Sequence, residues 1–273
     1  MDGANFPVVA IGASAGGLEA FRTLLAALPA ESGLAFILVQ HLDPSHGSMM
    51  AELLAHHTAL TVLEAHEDMQ LEPDHVYVIP PGRYLAVRNG AIQLSRPKAG
   101  QAVRMPFDFL LHSLAEEFGE RAVCIILSGT ATDGSVGARA IKAAGGLVIA
   151  QDPEEAEFDG MPRSAIATGA VDLVLPLAKI PEALAKYSGH PYLKTGDSDV
   201  ALPAGDGALK IIDLLRKRTS HDFTLYKEGT IGHRIQRRMA MAGIEDANRY
   251  LELVTKDPAE LQRLANDLFI NVT

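Results

Sequence analysis

Six short apolar runs, most of them followed by a stretch of helical periodicity, constrain this chain more than any other feature of it. The runs are Val8–Ile11, Leu34–Val39, Val76–Ile79, Val123–Leu127, Leu147–Ala150 and Val171–Leu175. Helical patterns fall between most of them, at Leu18–Leu28, Ser48–His56, Phe107–Phe118 and Val136–Ala144. Strand alternating with helix builds a parallel sheet covered on both faces. The pattern predicts an α/β fold: a doubly wound, mostly parallel, Rossmann-like sheet of strand order 3-2-1-4-5. A hairpin, Tyr84–Val87 with Ala91–Leu94 around Asn89-Gly90, interrupts it and reads as a surface insertion.

A chain of 273 residues can bury a large core and a small one. Residues 189–207 lack periodicity and are rich in Gly, Pro, Ser and Asp, so they read as a linker. That leaves an α/β domain over residues 1–188 and a small all-α domain over 208–273. The helices expected in the second are Leu209–Lys217, Ile231–Ala242, Ala247–Val254 and Pro258–Phe269.

The net charge of −10 argues against nucleic acid and anionic membranes as partners. From Ala204 onward eleven Lys and Arg face ten Asp and Glu, so the negative excess lies in the first module. No run approaches the ~20 apolar residues of a membrane span. The N-terminus lacks the basic start and apolar stretch of a signal peptide. A cytoplasmic protein without membrane insertion is expected. The single cysteine, Cys124, lies in an apolar run and reads as a small buried hydrophobe. His41, His46, His56 and His57 lack matching ligand spacing, so no metal is expected.

The chemistry is concentrated at strand ends. Gly12-Ala13-Ser14-Ala15-Gly16 follows the first run and precedes the first helix, which is the geometry of a nucleophile elbow. The second run ends in Gln40-His41, and the fourth leads into Ser128-Gly129-Thr130-Ala131-Thr132-Asp133-Gly134. In the predicted order these three strands are neighbours, so a hydroxyl, an imidazole and a carboxylate converge. A serine hydroxyl needs an imidazole to take its proton, and the imidazole needs a carboxylate to fix its tautomer. Ser14, His41 and Asp133 fill those roles, with the N–H groups of Ala15 and Thr130 as oxyanion donors. The order Ser-His-Asp differs from the Ser-Asp-His of α/β-hydrolases. Plainer readings exist: His41 as a loop cap and Asp133 as an ordinary helix N-cap.

Five segments resemble the catalytic domain of the chemotaxis protein-glutamate methylesterases, the CheB family. They are Ile-Gly-Ala-Ser-Ala-Gly-Gly, Val-Gln-His-Leu, Val-Tyr-Val-Ile-Pro-Pro-Gly, Leu-Ser-Gly-Thr-Ala-Thr-Asp-Gly and Gly-Met-Pro-Arg-Ser-Ala-Ile, spread over residues 6–188. The resemblance implies hydrolysis of glutamyl methyl esters on chemoreceptors, with glutamine deamidation as a second reaction. It aligns Ser14, His41 and Asp133 with the family's triad and implies no cofactor. Many members carry Met where Thr130 stands and Thr where Ala15 stands, which alters the packing of the oxyanion hole. The receiver domain of the two-part enzyme is not expected here.

Tyr226-Lys227-Glu228-Gly229-Thr230-Ile231, His233-Arg234-Ile235-Gln236-Arg237-Arg238-Met239 and Leu268-Phe269-Ile270-Asn271-Val272-Thr273 resemble the N-terminal helical domain of the CheR receptor methyltransferases. The resemblance implies receptor contacts, and the chain is expected to stop before the methyl-donor domain, without methyltransferase activity. Ile231, Ile235, Met239 and Ala242 share one helix face, and Arg234, Arg237 and Arg238 lie away from it. The arginines are either a solvated stripe or a contact for an acidic receptor helix. The rival to a hydrolase is a non-catalytic receptor-binding scaffold. A hydrolase of the same mechanism acting on another ester or amide is the third reading.

Overall fold

The computed structural model describes residues 6–40, 49–97, 105–193, 202–203, 206–219, 223 and 226–269. Contacts divide the chain into two units, Met1–Glu182 and Ala183–Thr273.

In the first unit, β1 (Val8–Ala13) lies at the middle of a seven-stranded sheet, and all six of its residues are buried. It pairs in parallel with β2 (Ala35–Gln40) on one side, with Ala13 opposite Gln40. Further out on that side are β3 (Thr61–Glu64) and β4 (His75–Val78), and the order runs β3-β4-β2-β1 from that edge. On the other side follow β7 (Ala122–Ile126), β8 (Leu147–Gln151) and β9 (Leu173–Leu175). Every pairing is parallel, so the expected sheet is present with one strand more. That strand, β3, has no apolar run to betray it: it is an edge strand whose side chains alternate between exposed and half-buried.

The hairpin β5 (Tyr84–Arg88) and β6 (Ala91–Ser95) pairs antiparallel as expected. It is not a surface insertion. Leu85, Val87 and Ile92 are buried in the main hydrophobic cluster, and the Val87 N–H donates to Ser113 Oγ at 3.1 Å. Ser113 belongs to α3 (Pro106–Phe118), so the hairpin is sealed onto that helix.

The helices that position the sheet ends are α1 (Gly17–Ala26), α2 (Met50–Ala55), α3, α4 (Ser135–Ala143) and α5 (Gly160–Ala167). A sixth, α6 (Ile180–Gly189), contains the division between the units. The division falls six residues before the expected end of the first domain, and part of the expected linker is folded. His190 Nε2 lies 3.0 Å from the Ile244 carbonyl, and Tyr192 OH lies 2.6 Å from His233 Nδ1. Residues 190–193 are thereby packed within the second unit.

That unit also contains α7 (Gly207–Thr219), α8 (Glu228–Ala242), α9 (Ala247–Lys256) and α10 (Pro258–Phe269). All four expected helices are present. Ile211, Leu215, Ile231, Ile235, Tyr250 and Leu264 form its core.

Candidate functional site

The turn after β1 is made by Ser14, Ala15 and Gly16. Gly16 has φ +71°, a left-handed conformation suited to glycine, and from there α1 begins. The turn is tied down by backbone bonds. Ser14 N–H donates to the Ser128 carbonyl at 3.0 Å, and Gly17 N–H donates to the Ser14 carbonyl at 3.0 Å. Gln40, the last residue of β2, reaches the same carbonyl weakly, with Nε2 3.4 Å away. Ser14 through Glu19, with Gln40, line an open cleft of about 440 Å³. Ser14 is half-buried there.

Ser128 at the tip of β7 is the hub of the site. Its N–H donates to Gln151 Oε1 at 2.9 Å, and its hydroxyl donates to the Ala15 carbonyl at 2.9 Å. The same hydroxyl accepts the Phe158 N–H at 3.0 Å. Next to it, Gly129 N–H donates to the Phe158 carbonyl, and the Gly129 carbonyl accepts the Met161 N–H. Any Cβ on Gly129 would stand 2.2 Å from Met161 Sδ and 3.0 Å from Ser14 Cβ. Only glycine lets these three segments close together at the serine. The N–H groups of Ala15 and Thr130 form no hydrogen bond among the described residues, so both donors are unused.

Asp133 is 1% exposed. It does not cap its own helix, α4, whose N-cap is Gly134. Instead its two carboxylate oxygens accept the N–H groups of Phe107 (3.0 Å) and Asp108 (2.9 Å), in the first turn of α3. Asp108 returns the exchange by accepting the Gly137 N–H of α4 at 2.7 Å. Each helix start is thus satisfied by a carboxylate from the other. Burial pushes the Asp108 carboxyl above its usual range; the Gly137 N–H opposes that, and the Asp133 charge adds to it. The Phe107 ring touches both the Ser14 and the Asp133 segments. Cβ atoms on Gly12 and on Gly134 would meet that ring at 2.2 and 2.5 Å. Gly12 and Gly134, close in sequence to Ser14 and Asp133, therefore both pack on one aromatic ring. His41 lies outside the described residues.

Residues 9–184 match the family model of the CheB methylesterase. The chain belongs to the CheB methylesterase family. Residues 209–269 match the all-alpha domain of the CheR methyltransferase. An uncharacterized 104.1 kDa protein of Rhodobacter capsulatus is 39% identical, over 82% of this chain and 26% of that protein. The protein-glutamate methylesterase FrzG of Myxococcus xanthus is 38% identical, over 67% of this chain and 55% of its own length. The crystal structure of the Thermotoga maritima CheB methylesterase catalytic domain superposes with a TM-score of 0.62 at 35% identity, covering 66% of this chain and 98% of that one. The chain spans between about a quarter and about half the length of these two curated relatives.

In the segment that matches the CheR domain, the arginines are not where the sequence placed them. Arg234, Arg237 and Arg238 are 5%, 0% and 3% exposed, so no solvated stripe exists on this face. Arg237 Nη1 pairs with Asp267 Oδ2 at 2.7 Å, and Arg238 grips Glu260 through two nitrogens. Glu260 also accepts the Tyr250 hydroxyl at 2.9 Å. Burial works against the Arg238 cation, but Glu260 outweighs it and holds the guanidinium's pKa above the usual value. Arg237 and Arg238 are held by the acids of α10, and a buried, paired arginine is not available to a partner helix.

Sequence reading missed Ser128 and Gln40 as parts of the site. Both follow directly from positions in apolar runs, and their roles come from side-chain bonds across strands that no local pattern encodes. Among the described residues there is no cluster of His, Cys, Asp and Glu that could hold a metal, and no helix is long and apolar enough to cross a membrane.

Proposed function

We propose that this chain is a serine hydrolase that cleaves glutamyl γ-methyl esters on chemoreceptor helices, with glutamine deamidation as a second reaction. The observation that carries this reading is the Ser14 turn, docked on the Ser128–Gly129 tip beside two unused N–H donors, in a member of the CheB methylesterase family. Several of the relatives are named protein-glutamate methylesterase/protein-glutamine glutaminase.

In this mechanism Ser14 Oγ attacks the ester carbonyl while His41 takes its proton. The oxyanion that forms is held by the N–H groups of Ala15 and Thr130, each such donor contributing about 3 kcal/mol. The C–O bond breaks, and methanol leaves with the proton from His41. Water, activated by His41, then hydrolyses the acyl-enzyme to a carboxylate. His41 follows Gln40, which pairs with Ala13, just as Ser14 follows Ala13. Asp133 orients the imidazole. A carboxylate has about four acceptor sites, so two backbone N–H bonds leave room for the imidazole N–H. Those two bonds also keep the carboxylate from rotating.

Methanol release from a methylated receptor fragment tests the reading. Ser14→Ala is expected to lower turnover about a million-fold, because the triad works as a unit. Undiminished release by that variant would contradict it.

A further inference from the structure

The reaction just described converts a neutral ester or amide into an anion at the same spot. Every feature that stabilises the oxyanion also favours that product. The start of α1 and the unused N–H groups of Ala15 and Thr130 attract a carboxylate as readily as a tetrahedral intermediate. A site built only from these parts would retain its product.

The segment between β8 and α5 supplies a counterweight. It carries five acidic residues, Asp152, Glu154, Glu155, Glu157 and Asp159. Four are engaged. Asp152 accepts the Glu154 N–H, Glu155 accepts the Leu177 N–H, and Glu154 and Asp159 both pair with Arg163. Glu157 has no hydrogen bond or ion pair among the described residues. Its side chain is exposed and lies next to the serine turn. A Cβ on Gly16, two residues on from Ser14, would meet Glu157 Oε2 and Ser128 Oγ at 2.8 Å each. The next residue, Phe158, is stapled to Ser128 and Gly129 through both of its backbone polar groups. That staple fixes the backbone next to Glu157 at the serine turn, with the exposed Glu157 side chain beside Gly16.

We infer that Glu157 is a specificity-determining residue that disfavours the carboxylate product over the neutral ester or amide at Ser14. The inference rests on the hydrolase reading and deepens it. Like charges held a few ångströms apart near a protein surface repel strongly enough to change binding by about tenfold, while an uncharged ester feels almost none of this.

The test uses the full chain, a methylated receptor peptide as substrate and the same peptide with free glutamate as inhibitor. Glu157→Gln is expected to tighten inhibition by the free-acid peptide about tenfold and to raise kcat, because the same charge opposes the oxyanion, while the KM for the neutral ester stays nearly unchanged. Glu157→Lys should tighten it further, and ~0.5 M salt should erase most of the difference among the three proteins. Equal product inhibition in wild type and Glu157→Gln would overturn the inference, as would parallel shifts in KM and product binding. Calorimetric binding of the free-acid peptide to Ser14→Ala separates the two readings. Binding to Ser14→Ala that depends on Glu157, with no methanol released by the wild-type chain, would sink the hydrolase reading alone. Turnover that needs Ser14, with product binding indifferent to Glu157, would sink the selector alone.

Discussion

The two units place their charges in opposite ways. In the α/β unit the central strands are wholly apolar, and most of the polar chemistry lies at their carboxyl ends, where backbone N–H and carbonyl groups do most of the holding. Its buried ion pair, Lys142–Asp172, sits apart at the amino end of β9. In the helical unit the ionic groups are at the centre, with Arg237 and Arg238 buried against Asp267 and Glu260. A sheet whose strands pair along their length satisfies its own backbone and can exclude charge from its core. A small bundle has less apolar area to bury, and this one completes its interior with matched ions. The first arrangement leaves polar groups free to act. The second uses them for cohesion, where a lost partner is costly because the remaining charge stays buried.

The largest stability effect should follow from breaking that second arrangement. Asp267→Ala removes a buried ionic partner of Arg237 and is expected to destabilise the helical unit by about 3–5 kcal/mol. Denaturant unfolding followed within residues 183–273 would show it, while methanol release by the α/β unit should persist. A loss under about 1 kcal/mol would mean that the pair contributes little and that the contrast is overstated.

A smaller effect is expected at the strand tips. Gly129→Ala drives a Cβ into Met161 and against Ser14 Cβ. Overpacking of this kind costs about 1–3 kcal/mol, and here it also displaces the nucleophile turn. Turnover should fall more than stability does. Equal falls would make Gly129 a packing position only.

The smallest concerns the crossed aspartates. Because the Asp108 pKa is raised in the folded protein, that group's contribution is fully present below its unfolded value of about 3.8 and is lost as pH rises through the folded value. Asp108→Asn keeps an oxygen for the Gly137 N–H and should flatten this part of the pH–stability curve. An unchanged curve would show that Asp108 does not titrate in that range.

The sheet was legible because its central strands are buried on both faces and so read as continuous apolar runs. The strand β3 was not, since half its residues face solvent. In the hairpin, Asn89-Gly90 marked the turn correctly, yet nothing local told that Leu85 and Val87 face the core. The serine turn was legible from its glycines, and the likeness to known families was carried by short motifs at strand ends. Arg237 and Arg238 were misread for a physical reason. Helical periodicity separates one face from another, but it cannot say whether a second face meets water or the acids of a helix some twenty to thirty residues on. The crossed capping by Asp133 and Asp108 was hidden for the same reason.

The central claim, that Ser14 is an activated nucleophile, is tested most directly by a fluorophosphonate probe with the adduct mapped by mass spectrometry. A single adduct on Ser14 is expected, lost in Ser14→Ala and slowed strongly in Asp133→Asn. An unlabelled Ser14, or labelling on other serines at an equal rate, would contradict the account.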